Sequence, residues 1–336
     1  EACPLWQHAS LQLQPSTAVS YGIWHYVHLT DDKAFLYRYG AEMLLQIARF
    51  QATRVGFSEK IGKYGFFGVM GPDEFHMMVN NNAYTNYMGM RALRYAADVM
   101  DAMRADAPEA YAALCEKVEL APDEPAQWRH IADNMYIPET PNHLFEQHDG
   151  FFELPHTDIN SIPVSEFPLY DHWAYDRIYR TDMIKQPDVL MGLYFLNHVY
   201  DTETLRRNFD FYAPLTLHES GLSPCIHSIM AAQLGEKDLA VAMYKRTARY
   251  DLDNINQDSQ DGLHITSMSG SWLAIAKGFA GMRTLGGLRF KPFLPDCWNG
   301  YSYKFNYRGR IIELRVKPKL SLIHISEPTR QAEISY

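Results

Sequence analysis

Hydrophobic residues along most of this chain recur every three or four positions, the spacing that places side chains on one face of an α-helix. Phe35, Tyr39 and Met43 illustrate the pattern within residues 32–53. Comparable patterns predict about ten helices, over residues 16–29, 32–53, 83–104, 108–120, 124–136, 182–199, 202–212, 222–234, 236–250 and 268–282. The chain is therefore predicted to fold mainly as an all-α array.

Polar residues at the helix boundaries agree with this prediction. Asp31 and Asp201 stand where capping side chains begin helices, and Gly235 separates one helix pair. Two long segments, residues 54–82 and 138–181, carry no helical pattern. Loops of more than about 15 residues inside a compact domain are usually functional, so both segments are predicted to contribute to a site.

The hydrophobic period changes from helical to alternating after about Leu285, and alternation is the pattern of strands. The alternating runs cover residues 288–293, 301–307 and 311–316. They predict a small antiparallel sheet over residues 285–317, appended to the helical residues 1–284. The tail, residues 318–336, follows neither pattern and is expected to lie outside the fold.

Composition and charge exclude several functional classes. The formal net charge is −9 and no Lys/Arg run exceeds two residues, whereas nucleic-acid binding depends on clustered positive charge. No apolar run reaches the ~20 residues of a membrane span. The four cysteines are widely spaced and favour a reducing compartment over a disulfide framework or a zinc site. We therefore expect a cytoplasmic protein that binds neither nucleic acid nor a membrane.

The densest group of reactive side chains lies in the first long loop, in Gly71-Pro72-Asp73-Glu74-Phe75-His76. Two adjacent carboxylates and a histidine follow a Gly-Pro turn there, and Asn81 or Asn82 then caps a predicted helix. Loops that are fixed by rigid flanking elements often carry catalytic groups. The alternative is a capped turn with solvated acids, and the residues alone do not decide between the two.

The sequence carries no motif for a cofactor or a metal ion. It contains no glycine-rich dinucleotide fingerprint, no Walker loop and no His-Glu-x-x-His pair. His25 and His28 lack a carboxylate partner at a suitable spacing. No cofactor and no metal ion are therefore expected.

Five segments, taken together and in order, resemble glycoside hydrolase family 65, which includes inverting disaccharide phosphorylases. They are residues 71–76, 81–86, 184–190, 218–224 and 264–272. The resemblance implies an (α/α)6 barrel with a small C-terminal antiparallel β element, in agreement with the helical and alternating patterns. It also implies a β-sandwich, linker helices and a first barrel segment ahead of residue 1, so the barrel is expected to be incomplete at its N-terminus.

By this resemblance Glu74 is the general acid. Inverting hydrolases use two carboxylates, one of which activates water, whereas a phosphorylase uses phosphate in place of that base and that water. The resemblance places the phosphate at Ser220, Gly221, His264 and Ser267, beside predicted helix starts, where backbone N–H groups favour anions. Many family members have Ser-Ser where this chain has Ser220-Gly221, so one hydroxyl donor is absent here.

The resemblance assigns substrate contacts to the second long loop and to the segment after it. Lys185 and Gln186 match residues that hydrogen-bond the glucose, and their alternative role is the polar start of a helix. His172, Trp173 and Tyr175 are expected at the rim or in the acceptor subsite. The alternative is that these rings anchor a wrapped loop.

The resemblance thus implies an enzyme that converts an α-glucosidic disaccharide or glucoside and phosphate into β-glucose 1-phosphate and a free acceptor. Inorganic phosphate is then a co-substrate, and the acceptor sugar stays open. Two alternatives remain. One is a hydrolase of the same family that uses water with Glu219 as the second carboxylate, and the other is an inactive fragment that only binds sugar or a partner. A homodimer is also left open.

Overall fold

The computed structural model describes residues 7–196, 199–318 and 320–325. Helices dominate the first part of the chain: α1 Gln14–Thr30, α2 Lys33–Phe35, a π-helical turn Leu36–Gly40, α3 Ala41–Arg54, α4 Ala83–Asp106, α5 Pro108–Val118 and α6 Glu124–Asp133. Short 3₁₀ turns at Gln7–Leu11, Phe151–Glu153, Ile159–Ser161 and Val164–Glu166 lie in the connecting segments.

Helices continue after the second long loop, which itself holds the single-turn helices α7 Leu169–His172 and α8 Tyr175–Ile178. The later elements are α9 Asp188–Phe195, α10 Thr202–Tyr212, a 3₁₀ turn Ala213–Leu215, α11 Ser223–Leu234, α12 Lys237–Ala248, a 3₁₀ turn Ser259–Asp261, α13 Ile265–Leu273 and a π-helical segment Ala274–Phe279.

Side-chain caps explain several of these boundaries. Asp201 accepts a hydrogen bond from Thr204 N (2.8 Å), which confirms it as the cap of α10. Asn82, not Asn81, caps α4. The prediction for Asp31 is wrong by one residue. Asp31 adopts the left-handed conformation that ends α1, and the side chain of Asp32 caps the following turn instead.

The core consists mainly of two hydrophobic clusters that share α4. Leu93 and Met100 of α4 pack with α1, α3 and α6 in one cluster. Tyr84 and Met88, nearer its N-terminus, pack with α9, α10 and α11 in the other. α4 is therefore apolar on two faces, and its capped N-terminus is held between both halves of the helical array.

A β-hairpin occupies part of the first long loop, which the hydrophobic pattern did not predict. β1 (Val55–Ser58) pairs antiparallel with β2 (Lys63–Phe66). Gly56 and Gly65 face each other in the pair. Because glycine weakens the strand signal and each strand is short, alternation is not visible in the sequence here.

A three-stranded antiparallel sheet follows the helices, in the order β3 (Tyr301–Tyr307), β4 (Arg310–Lys317) and β5 (Leu320–Ile325). The prediction of a helix-dominated chain with a small C-terminal antiparallel sheet is confirmed. The expectation for the tail is wrong over residues 320–325, since β5 pairs along β4. Leu322 and Ile323 are exposed, so backbone pairing rather than burial holds this edge strand. Residues 326–336 lie outside the described residues.

Candidate active site

Asp73 is buried at the centre of the first long loop and accepts hydrogen bonds on both carboxylate oxygens. Its Oδ1 accepts from the backbone N–H of Phe75 (3.3 Å) and of Lys185 (2.9 Å). Its Oδ2 accepts from Gln147 Nε2 at 2.8 Å and lies 2.7 Å from His76 Nδ1. Asp73 therefore ties the first loop to the second and fixes the backbone that carries Lys185.

Gly71 is required by a close approach to the start of α9. A Cβ atom on Gly71 would lie 2.0 Å from Asp188 Oδ2 and 2.6 Å from Asn82 Nδ2. The buried Asp188 accepts from Asp73 N at 2.7 Å and from Asn82 Nδ2 at 2.8 Å. Burial, together with the nearby Asp73 carboxylate, raises the pKa of Asp188 well above its usual range. The Gly-Pro turn is thus locked against the N-termini of α4 and α9.

Glu74, unlike Asp73, is partly exposed. Its carboxylate forms an ion pair with the ammonium group of Lys185. The same ammonium lies 4.8 Å from the centroid of the Tyr170 ring. Tyr175 is close to both charges: burial raises the pKa of its phenol, Lys185 lowers it and Glu74 raises it. The structure therefore brings together Glu74, Lys185 and Tyr175, three residues for which the sequence predicts roles in the site.

Gln186 follows Lys185 and is only 4% exposed. Within the described part of the chain its Oε1 atom has no hydrogen-bond partner. A buried amide oxygen without a partner is energetically costly unless a ligand or water supplies a donor. Gln186 is therefore available to accept from a bound hydroxyl group.

Glu219 is also 4% exposed and lies between the two halves of the site. Its Oε1 accepts from Leu169 N at 2.7 Å, while Oε2 has no partner among the described residues. Burial raises the pKa of this carboxyl to about 7, and the hydrogen bond from Leu169 and the charges of Lys185 and Arg246 oppose the rise. The charge of Lys185, which pairs with Glu74, thus acts on Glu219, and Glu219 directly precedes Ser220.

The residues predicted to bind phosphate meet around Gly221, ahead of α11. A Cβ atom on Gly221 would lie 2.6 Å from Ser267 Oγ and 3.4 Å from His264 Cβ. Ser267 Oγ donates to the carbonyl of Gly221 at 3.2 Å, and Ser220 Oγ accepts from Leu222 N at 3.2 Å. The structure therefore joins Ser220, Gly221, Ser267 and His264 in one cluster beside the N-termini of α11 and α13.

Asp251 orients His264. Its carboxylate accepts from the backbone N–H of His264 at 2.9 Å and lies 2.6 Å from the ring Nδ1. The ring Nε2 lies 3.5 Å from Asp258 Oδ2. The pKa of Asp251 is lowered, because its hydrogen bonds with His264 outweigh the effect of burial. His264 is therefore held by two acidic side chains at the edge of the cluster.

The aromatic loop residues separate into two groups. Trp173 is 9% exposed, packs with Phe75 and Leu217, and donates its indole N–H to Glu166 at 2.9 Å. His172 in α7 and Tyr175 beside Lys185 are both exposed. Trp173 is placed as an interior anchor of the loop, whereas His172 and Tyr175 are accessible. Direct sugar contacts by these residues stay a prediction.

The described residues contain no group of three or more His, Cys, Asp and Glu side chains that could hold a metal ion. In the same part of the chain, no helix has both the length and the apolar character to cross a membrane.

Comparison with known proteins identifies the family. The model of the glycosyl hydrolase family 65 central catalytic domain matches residues 3–273, and that of the family's C-terminal domain matches residues 282–334. The chain belongs to glycosyl hydrolase family 65. Family membership confirms the resemblance drawn from the five sequence segments.

Two curated relatives from this family are both phosphorylases. The chain is 42% identical over 316 residues to maltose phosphorylase of Bacillus subtilis, covering 94% of this chain and 41% of the relative. It is 39% identical over 301 residues to α,α-trehalose phosphorylase of Thermoanaerobacter brockii, covering 89% of this chain and 39% of the relative. The chain thus spans about two fifths of the length of the curated relatives it matches.

A solved structure from the human microbiome, provisionally assigned as a kojibiose phosphorylase, has the same fold. It superposes with a TM-score of 0.90 at 40% identity, covering 97% of this chain and 45% of that one. The helical array of this chain is therefore of the (α/α)6-barrel type, as predicted.

Sequence reasoning missed the residues that hold the side chains and loops of this family 65 site in place. Gln147, Asp188 and Asp251 hold the proposed acid loop and His264 through hydrogen bonds. Arg246 of α12 donates to the carbonyl of His218 at 3.2 Å, one residue before Glu219. Of these partners, only Asp188 falls inside one of the five segments, so the motifs give no signal for the others.

Proposed function

We propose that this site performs inverting phosphorolysis of an α-glucosidic disaccharide or glucoside, giving β-glucose 1-phosphate and a free acceptor. The observation that carries the proposal is the continuity of two clusters. Glu74 contacts Lys185, whose charge acts on Glu219, and Ser220 and Gly221 follow Glu219 directly and meet Ser267 and His264. Residues 219–221 thus connect the surroundings of the proposed proton donor with the proposed anion site.

In the proposed reaction Glu74 gives its proton to the glycosidic oxygen as the bond to the anomeric carbon breaks. A phosphate oxygen attacks that carbon from the opposite face, which inverts its configuration. The hydroxyl of Ser220 and the backbone N–H groups near the start of α11 would hold the phosphate, and the ring of His264 would contribute Nε2 if phosphate replaces Asp258 there. Phosphate is already an anion and a nucleophile, so the reaction needs no base to activate it.

The contact between Glu74 and Lys185 has a consequence for this mechanism. An adjacent ammonium group stabilises a carboxylate, whereas a general acid must carry a proton when the bond breaks. We infer that glucose binding transfers the Lys185 ammonium from Glu74 to a sugar hydroxyl. Gln186, with its buried and unpartnered Oε1, would accept from a neighbouring hydroxyl.

The related proteins support phosphate as the nucleophile, since the maltose and trehalose relatives are both named phosphorylases. Their names differ in the sugar, so they leave the acceptor of this chain open. We propose an α-linked glucosyl donor with inorganic phosphate as the co-substrate and no further cofactor.

The test is cleavage of maltose, trehalose, kojibiose and nigerose by this chain with and without phosphate. We expect phosphate-dependent release of glucose from at least one of them, and loss of that release in Glu74→Gln. Glu153→Gln is the matched control, since Glu153 is an exposed acid in the second loop. Cleavage at the same rate with and without phosphate would contradict the proposal. Sugar binding without cleavage would favour the binding-only alternative.

Hydrolysis remains a second candidate because of Glu219. A buried carboxyl with a pKa of about 7 and one free oxygen has the properties of a general base at neutral pH. Glu219→Gln separates the two functions. Hydrolysis in plain buffer should collapse in this variant if Glu219 is the base, whereas phosphorolysis should retain its dependence on phosphate.

A further inference from the structure

A second cavity lies at the opposite ends of the helices that begin at the candidate active site. It has a volume of about 220 Å³, and its walls include Phe195, Gln233 and Lys277. Phe195 ends α9, whose first residue is Asp188, and Gln233 lies near the end of α11, which begins at Ser223. At 1.5 Å per residue, the cavity is roughly 10–15 Å along these helices from the proposed phosphate cluster.

The walls of this cavity carry positive charge without compensating negative charge. Lys277, Arg283 and Arg289 line it, and none of its described lining residues is Asp or Glu. His25 also lines it, but burial and the neighbouring cations lower the pKa of its ring to about 4, so it adds no positive charge at neutral pH. Arg283 donates to the carbonyls of Lys277 (2.8 Å) and Met282 (2.9 Å) and to Gln233 Oε1 (2.7 Å). Arg283 is therefore fixed in place by neutral acceptors, and its charge is not neutralised.

Lys277 has no counter-charge in the cavity. The residue is only 9% exposed, its side chain lines the cavity, and across the described residues its ammonium has no hydrogen-bond or ion-pair partner. A largely buried lysine side chain without a counter-charge is unfavourable. Burial, with the nearby Arg283 charge, lowers the pKa of Lys277 to about 8. A bound anion would relieve this penalty.

Part of the remaining wall is aromatic. Tyr21 and Trp24 of α1 line it together with Phe195 of α9, and the Tyr21 and Phe195 rings are in contact, with centroids 4.4 Å apart. Ring faces provide apolar contact area for the carbon face of a small ligand, while the cations hold its charged group. Such a combination suits a molecule with a compact anionic end and a less polar body.

We propose that this cavity is a second anion site that binds a small phosphate-bearing dianion, either inorganic phosphate or a sugar phosphate. Three basic side chains, Lys277, Arg283 and Arg289, line this cavity, so a dianion matches them better than a single carboxylate. The site is separate from the proposed catalytic phosphate cluster and does not depend on the proposed activity.

Calorimetric titration of this chain tests the proposal, with inorganic phosphate in one arm and glucose 6-phosphate in the other. We expect a second binding event, in addition to any at the Ser220–Gly221 cluster, that Lys277→Met removes or weakens at least tenfold. Arg289→Gln, at an exposed position that cannot disturb the core, should weaken the same event severalfold. Lys60→Gln, in the distant β1–β2 turn, should leave both events unchanged.

The two arms identify the ligand. Tighter binding of glucose 6-phosphate assigns the aromatic walls to a sugar, and equal binding assigns the site to the phosphate group alone. The second event should also weaken as pH rises from 7.5 through 8 to 9.5, since Lys277 then loses its proton while phosphate stays a dianion. His25 also lines the cavity; burial lowers the pKa of its ring, and the charges of Lys277, His28 and Arg91 lower it further.

Thermal unfolding without phosphate supplies a readout that does not need the ligand. Lys277→Met should leave the melting temperature unchanged or raise it, since it removes an unpaired buried charge. The absence of any binding event that Lys277→Met and Arg289→Gln weaken would overturn the proposal, whether or not the Ser220–Gly221 cluster binds phosphate.

Discussion

Replacement of Asp73 by Asn should destabilise the fold strongly, although it changes a single atom. The Asp73 side chain is fully buried and accepts from four N–H groups, two on each oxygen. The amide of Asn must place its NH2 group at one oxygen position. In one orientation it faces His76 and Gln147, and in the other it faces the backbone N–H groups of Phe75 and Lys185.

In the first orientation His76, with its Nε2–H on the Thr181 carbonyl (3.0 Å), can accept from the new amide at Nδ1, so Gln147 is the one buried donor left without an acceptor; the second orientation leaves two. Each such group costs about 1–3 kcal/mol, so Asp73→Asn should lower the free energy of unfolding by at least about 1–3 kcal/mol. Urea denaturation at pH 7 measures this loss. Asp98→Asn is the matched control, because Asp98 is exposed and its ion pair with Arg129 contributes at most about 1 kcal/mol.

The same substitution should lower the cleavage rate under conditions where the protein is folded, since Asp73 holds the backbone of Lys185. Equal urea midpoints of unfolding for Asp73→Asn and Asp98→Asn would refute the reasoning, because the Asp73 carboxylate would then not be the acceptor that joins the two loops.

Two further predictions concern the proposed phosphate cluster. Gly221→Ala places a Cβ 2.6 Å from Ser267 Oγ and should raise the KM for phosphate roughly tenfold, about 1.4 kcal/mol. Gly22→Ala, whose Cβ meets nothing within 4 Å, should not change that KM, and a KM unchanged in both would argue against the cluster. Glu219, with a pKa raised from 4.5 to about 7 by burial, holds a proton in the folded chain that the unfolded chain releases between these pH values. The free energy of unfolding of the unaltered chain should therefore fall by roughly 2–3 kcal/mol relative to that of Glu219→Gln as pH rises from 4.5 to 7.5. Parallel pH profiles of the two proteins would disprove the raised pKa of Glu219.

The helices were predictable because their apolar faces repeat regularly and several ends carry caps. Asp201 illustrates this, since a short acidic side chain can satisfy the first N–H groups of a helix wherever the helix lies. The β1–β2 hairpin and β5 were not predictable in the same way. Their strands are short, and β5 is held by backbone pairing with exposed Leu322 and Ile323.

Sequence motifs predicted the residues at both ends of the proposed site but not the residues that hold them in place. Glu74, Lys185 and Gly221 lie in segments that resemble the family, whereas Gln147 and Asp251 act through contacts between distant parts of the chain. Trp173 shows the opposite difficulty. A tryptophan in an aromatic loop fits sugar stacking and loop anchoring equally well, and only its burial and its hydrogen bond to Glu166 indicate the second.

The central claim is that phosphate attacks while Glu74 gives the proton. Phosphorus and proton NMR of this chain with an accepted disaccharide and phosphate tests it most directly. We predict a sugar 1-phosphate signal of β configuration that grows with the free acceptor, and no such signal with Glu74→Gln. Free glucose from both halves of the disaccharide without a sugar phosphate, or an α-configured product, would contradict the account.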